Sequence, residues 1–396
     1  MKRVLLLAVA LACVQAASAA ERPPVWALSE PLVDGPAWLV QVDPVSFARR
    51  PGPPVPLGPF TAAPAVSPDG SLLAATPADA TVLGVFDLDA RRLLFTLGIG
   101  SGAGRKPWEV HWLSAARIAA VTAVGRGRSP ELVLVDVPSR RVVRRQRLTG
   151  EIGPVRAADG RLVLLVSQAG RIATPTVYVL DHDGALRRTS LRPVRMGSTS
   201  GPPARELLPG LAADPTGETA YVVPADGPLV AVDLASLRVR TVPVRTTAVS
   251  LRAAKGAAGT WVHAHWLAGG LLATVTGDGR PVRGGVRQSP RGLRFLDAAT
   301  GAARVIDTRA VDFWVAGELV VAQDQESLRA FRLDGSLAWE ASFDDLLGIV
   351  RVVGGFLHVL RKDVRTSVLE AATGVELAEI GSPTRELVPL GDRDAR

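Results

Sequence analysis

Apolar and polar positions alternate in short runs along almost the whole chain, and the runs return in a fixed order. One unit is an apolar run, usually an acidic residue, a small turn, then a second alternating run. LVLVDVPSRRVVRRQRL (132–148), LVAVDLASLRVRTVPV (229–244) and LRFLDAATGAARVI (293–306) are three of them. The others occupy 38–57, 83–97, 177–191, 328–343 and 367–380. Between these eight lie seven units of a second kind, such as AVSPDGSLLAAT (65–76), GLAADPTGETAYVV (210–223) and DFWVAGELVVA (312–322). Each of those is a strand, a tight turn and a strand. Proline sets φ and glycine supplies positive φ in the turns Ser67-Pro68-Asp69-Gly70 and Asp214-Pro215-Thr216-Gly217. Alternation with period two predicts strands, and no sustained stretch shows the three-and-four spacing that helical repeats need.

Two consecutive units make one repeat of four antiparallel strands, a-b-c-d. The turn positions Asp43, Asp87, Asp136, Asp181, Asp233, Asp297, Arg332 and Glu370 are spaced 35 to 64 residues apart. Four-stranded units with a period of about 40–45 residues are the signature of propeller blades. The expected fold is all-β, a single β-propeller over 21–396. Blade number follows from the ends. The first c–d unit has no complete a–b unit before it, while Arg385-Glu386-Leu387-Val388-Pro389 echoes Arg205-Glu206-Leu207-Leu208-Pro209, which leads into a strand a. The C-terminal segment 384–390 then supplies strand a of the first blade, and 25–28 supplies strand b. That gives eight blades, with both termini closing one blade and no open edge in the ring. Seven blades, with 24–58 packed outside, is the alternative.

The pattern resembles bacterial extracytoplasmic β-propellers of the YVTN, WD40-like and quinoprotein-like groups. The likeness rests on the turns SPDG and DPTG, on LDAATG and EAATG, and on Trp112, Trp266 and Trp314 in first strands. It implies the architecture and no particular activity.

Residues 1–20 read as a secretory signal peptide. Lys2 and Arg3 are followed by an apolar run to Ala12 and a small-residue cleavage site, Ala17-Ser18-Ala19. The run is too short to span a bilayer, and no later run reaches the required ~20 residues. The expected location is secreted or periplasmic. The one cysteine, Cys13, lies within this segment. A lipoprotein reading through Cys13 is the lesser alternative, because Ala10 stands where the lipid-attachment motif has leucine. Without Cys13 the mature chain has no disulfide and no zinc–thiolate site.

Composition is 47% hydrophobic and 21% charged, which excludes a disordered chain. Net charge is +8, and only Lys2, Lys106, Lys255 and Lys362 are lysines. Arginine binds carboxylate and phosphate bidentately, so its placement matters. In a propeller the a–b and c–d turns lie on one face, and the b–c and d–a connections on the other. Here the second set is long, and it carries Arg105, Lys106, Arg126, Arg128, Arg171, Arg195, Arg280, Arg283, Arg287 and Arg291. These form a candidate surface for an anionic ligand, with the glycine-rich loop 276–291 as its centre.

Three histidines are channel candidates: His111, His263 and His265. His263 and His265 share one face of a strand, but spacing supplies no third ligand, so no metal or other cofactor is expected. Haem-attachment, nucleophile-elbow, Walker and zincin motifs are absent. Leu333-Asp334-Gly335-Ser336-Leu337-Ala338-Trp339 is similar to the tryptophan-docking repeat of quinoprotein dehydrogenases, yet the Asp297 and Glu370 repeats lack the tryptophan. The reading is an exported, non-enzymatic binding or interaction module that contacts its ligand through the long-loop face. An anionic polymer, an acidic glycan or another exported protein is the expected partner, and nucleic acid is not. A propeller enzyme, either a lactonase or lyase or a quinoprotein-like dehydrogenase, is the alternative.

Overall fold

The computed structural model describes residues 24–29, 37–77, 81–100, 105–124, 130–199, 205–225, 227–246, 259–282, 285–344, 346–363, 365–380 and 387–389. Some of these, including 105–108, 280–282 and 285–288, are described in backbone only. The signal-peptide reading of 1–20 and the cleavage and lipidation readings lie outside them. No helix among the described residues is long and apolar enough to cross a membrane.

The strands form eight sheets arranged as the blades of a propeller. Blade 1 takes strand a from Leu387–Pro389, b from Val25–Ser29, c from Ala37–Val42 and d from Val55–Gly58. Ala27, Leu28 and Ser29 face Pro389, Val388 and Leu387. The two ends of the chain thus close one blade, as the orphan segments predict. Blades 2 to 8 follow in chain order as antiparallel meanders, with strand a beginning at Ala62, Arg105, Glu151, Gly210, Gly259, Asp312 and Leu346.

There is no single central core. Apolar side chains collect in eight clusters, one in each seam between neighbouring blades. Middle strands are therefore covered on both faces. Strand c of blade 3, Glu131–Asp136, is buried nearly throughout, whereas outer strand d, Arg141–Arg147, alternates between exposed and half-buried. Each buried valine or leucine contributes roughly 1.5–3 kcal/mol. The recurring acid caps the c–d turn. Asp87, Asp233 and Asp297 each accept the N–H of the residue three positions on, at 2.6–2.7 Å. The N–H of Ser236, then its hydroxyl, holds Asp233 below the usual carboxylate range.

Trp339 is a blade-docking residue. Its indole Nε1 donates to the Ala371 carbonyl of blade 8 at 3.0 Å, and its ring fills the space a side chain on Gly374 would need.

Blade 6 departs from the plain plan. Strands b (Leu271–Val282) and c (Gly285–Asp297) run past the ring as a long antiparallel arm. Residues Arg205–Leu208 add a parallel strand inside its strand a (Gly259–Leu267) and extend to Gly197–Thr199. Arg245–Thr246 pairs outside strand d (Ala302–Asp307). The stretch read as the loop 276–291 is mostly this arm, because residues 277–282 pair in register with 285–290.

Charged groups also enter the seams. In blade 7, Arg329 of strand c (Ser327–Phe331) is buried, with Nε 2.6 Å from Asp307 and Nη1 2.8 Å from Asp324. In blade 6, Arg294 is also buried, and its three guanidinium nitrogens have no hydrogen-bond partner among the described residues. His358 of blade 8 is buried against Phe47 of blade 1, ring centroids 5.0 Å apart, with neither ring nitrogen bonded among the described residues.

Candidate functional site

The inner strands converge on a central channel, and a cavity of about 700 Å³ opens where the channel meets the long-loop face. Trp261 and His263 reach it from strand a of blade 6. Asp312 opens strand a of blade 7 (Asp312–Ala316), and Asp324 sits in that blade's b–c turn. Glu206 comes from the added parallel strand, and Lys362 from the b–c turn of blade 8.

Local folding fixes these groups. The Trp261 ring lies over Gly277, where a Cβ would collide with it. His263 Nδ1 is 3.0 Å from Asp312 Oδ1, and since a carboxylate only accepts, the ring nitrogen donates. Asp324 accepts the N–H groups of Glu326 and Ser327 and binds Arg329. Burial alone would raise the Asp324 carboxyl, but these bonds outweigh it and hold it below its ordinary value. Glu206 and Lys362 are exposed. With Asp324 paired to Arg329 and Arg309, Glu206 and Asp312 against Lys362 still leave this mouth acidic, within a protein of net charge +8.

The channel histidines part company. His263 opens to this cavity, whereas His265, two residues along the same strand, lines a second cavity at the opposite mouth. Same-face neighbours on a strand lie about 6–7 Å apart, enough to separate them. His111 Nε2 lies 2.6 Å from Glu109 Oε2 on strand a of blade 3. No group of three potential metal ligands occurs among the described residues. The pairs His263–Asp312 and Glu109–His111 can each orient an imidazole and move a proton. Among the described residues, no serine, threonine or cysteine is hydrogen-bonded to either ring.

Among the sequence-predicted basic residues whose side chains are described, Arg171, Arg195 and Arg291 do not line this cavity. Arg291 departs from the loop reading: its side chain is largely buried and held by Asp278, Nη2 to Oδ2 2.6 Å, at the base of the arm. A glycine-rich stretch looked like solvated loop, whereas cross-strand pairing buries its root. Arg171 and Arg195 are exposed on two segments that the Ala173–Met196 bridge sets side by side. Arg105 and Lys106 lie in strand a of blade 3, and Arg280 and Arg287 lie opposite each other on the arm, all described in backbone only. Arg126, Arg128 and Arg283 lie outside the described residues. Sequence reasoning missed Glu206, Asp312, Asp324 and Lys362. The available signal was an acid at a strand start and another in a b–c turn, which reads equally well as ordinary turn chemistry.

No family model matches the chain, and no curated protein does. Among solved structures it is similar to dihydro-heme d1 dehydrogenase NirN in complex with DHE, at 13% identity, TM-score 0.57, covering 93% of this chain and 74% of that one. It is also similar to AztD from Citrobacter koseri, at 14% identity, TM-score 0.55, covering 93% and 96%. The C-terminal WD40 domain of Sif2 aligns at 11% identity, TM-score 0.52, covering 78% and 81%. At these identities the likeness establishes the fold.

Proposed function

We propose that the chain is an exported, non-enzymatic binding propeller whose ligand sits in the acidic cavity at the long-loop mouth of the channel. One observation carries this reading: a cavity of about 700 Å³ gathers Glu206, Asp312 and Asp324 with Lys362, His263 and Trp261 from three blades and one inserted strand. Convergence of fixed polar groups on one concave site is the usual mark of a binding site. The charge balance favours a compact polar ligand with a cationic group, stacked or packed on Trp261. Export rests on the reading of residues 1–20.

A second reading keeps the anionic partner and moves it to the arm of blade 6. Arg280 and Arg287 occupy one register position of the arm, and two arginines at one rung of a ladder suit an anionic partner. An acidic polymer, glycan or exported protein would be one.

Calorimetry with spermidine and with dextran sulfate separates the two. The first reading expects spermidine to bind and to bind at least tenfold more weakly to the Glu206→Gln/Asp312→Asn variant. Recovery of spermidine unchanged distinguishes binding from turnover. Failure of spermidine to bind, with dextran sulfate binding lost in the Arg280→Ser/Arg287→Ser variant, would overturn the first reading in favour of the second.

A further inference from the structure

Strand b of blade 7 (Leu319–Gln323) reads LVVAQ, four apolar residues and then a long polar one. Strand b of blade 2 (Leu72–Thr76) also ends on a polar residue, Thr76, opposite Ala62, the first residue of strand a. There the polar group is closed within the blade, since the Thr76 hydroxyl donates to the Ala62 carbonyl at 3.2 Å. In blade 7 the matching pair is Gln323 opposite Asp312, and no such closure forms. Gln323 is 4% exposed, and its Oε1 has no hydrogen-bond partner among the described residues. A buried carboxamide oxygen left unpaired is costly, so the position calls for a donor.

Gln323 lines the acidic cavity. Directly opposite residues of an antiparallel pair share one face of the sheet, so the Asp312 carboxylate and the Gln323 carboxamide are side-by-side neighbours. Asp312 accepts from His263 and from the Phe313 N–H, both through Oδ1, which leaves Oδ2 for a ligand. Asp324, the next residue after Gln323, is already taken by Arg329 and by the N–H groups of Glu326 and Ser327. Lys362 lines the same cavity, but its ammonium does not bond the carboxamide oxygen. A carboxamide turns end for end about its last torsion with little change of shape, so its oxygen can be presented to whichever side supplies a donor. The rung thus offers two adjacent acceptors, one charged and one neutral.

We propose, on the reading of this mouth as a cation site, that the cavity selects a protonated primary amine over a fully methylated ammonium of the same length and charge. The amine's N–H groups donate to Asp312 Oδ2 and Gln323 Oε1. Two effects compete. The Trp261 face attracts either cation, and on its own would accept a trimethylammonium as readily. The Asp312–Gln323 rung tells them apart, because a methylated nitrogen has no proton to give and would seal the carboxamide oxygen away from water. A site built to bond an N–H rejects an analogue that lacks it far more strongly than one extra methyl in an apolar pocket is discriminated. The rung therefore outweighs the ring.

The test compares cadaverine with pentamethonium, its counterpart trimethylated at both ends, by calorimetry on the full chain. Cadaverine should bind at least tenfold more tightly. The diamine dimethylated at both ends keeps one N–H on each protonated nitrogen and should fall between them. Gln323→Met keeps the length of the side chain and removes the acceptor. It should bring the preference below about threefold by weakening cadaverine and not pentamethonium. Gln323→Glu supplies an acceptor again and should restore the preference. Equal affinity for the two ligands in the unaltered protein would overturn the proposal, and so would a preference untouched by Gln323→Met. Should that variant fail to fold, the graded series on the unaltered protein decides alone. If both ligands bind equally and Glu206→Gln/Asp312→Asn weakens both, the selection falls and the cation site stands. If neither binds, both fall.

Discussion

Blades 6 and 7 stand side by side and bury an arginine at the same place in the repeat, three residues before the c–d turn position. The other six repeats hold Val40, Gly84, Val133, Tyr178, Val230 and Ser367 there, so a charge is the exception. Arg329 is satisfied. Asp307 at the end of blade 6 and Asp324 in its own b–c turn both bind it. Burial alone would lower this guanidinium, yet the two carboxylates raise it. Arg294 has neither partner among the described residues. Asp307 sits opposite Leu293 in blade 6, but the residue opposite the matching Leu229 in blade 5 is Val242. Where blade 7 has a short b–c turn with Asp324, blade 6 has its arm, and the acid at the arm's base, Asp278, is bound by Arg291 and Thr260. Burial first, and repulsion from Arg291 second, depress the Arg294 guanidinium. The strand sequences LRFL and LRAF are nearly alike. Whether a buried cation is tolerated is decided by the blade before it.

The largest effect should come from breaking the satisfied site. Asp307→Ala leaves Arg329 with Asp324 and the more distant Glu340 and should cost about 3–5 kcal/mol in urea unfolding, as removal of one partner from a buried ion pair does. A loss below about 1 kcal/mol would mean that this seam tolerates a half-paired guanidinium, and the contrast with Arg294 would collapse.

His358 sharpens the contrast, because unlike arginine it can shed its proton. Burial, with a smaller push from Arg351, lowers it from 6.5 to about 4. Between those values the unfolded chain binds the proton and the folded chain does not, so stability is full above pH 6.5 and falls as the pH drops toward 4. The drop should reach about 2 kcal/mol at pH 5. His358→Leu should flatten this part of the stability profile, and an unchanged profile would assign the acid sensitivity elsewhere.

Arg294→Met should be smaller in effect and opposite in sign, raising stability by about 1 kcal/mol by removing a buried charge that has no hydrogen-bond partner among the described residues. A clear loss instead would show that Arg294 has an anionic partner in the folded protein. Smallest is the transplant. Val242→Asp should cost about 0.5–1 kcal/mol less with Arg294 present than in the Arg294→Met background, the coupling a double-mutant cycle reads for neighbours.

The blade plan was legible because its signals are local. Asp87, Asp233 and Asp297 recur since each caps a turn three residues long, and Gly374 recurs with its turn while also making room for Trp339. Closure by the termini was legible from the leftover strand and the echo of 205–209 at 385–389. The arm was not, since glycine and arginine signal loop, and the pairing of Gly279 with Gln288 and Arg280 with Arg287 leaves no hydrophobic alternation. Buried Arg291, Arg294 and Arg329 were illegible for a related reason: a charge reads as surface until its neighbouring blade is known. The two mouths were hidden because each draws on at least three blades. Glu206 and Asp312, 106 positions apart, become neighbours only when the ring is closed.

Among the described residues, the joint between blades 8 and 1 holds the ring shut with little material. Its apolar cluster has six buried members among those residues, against ten to thirteen in the other seven seams. The inner strand beside it contributes three residue pairs among the described residues, one of them at Pro389, which has no amide to donate. A closed ring that opens must do so at its weakest joint, so this molecule should breathe as a split washer. Amides of blade 1 should exchange with solvent through an opening of lower free energy than those of blade 4, whose seams are among the fullest. Both channel mouths are rims of that washer, and a ligand gripping either one from opposite sides acts as its clasp.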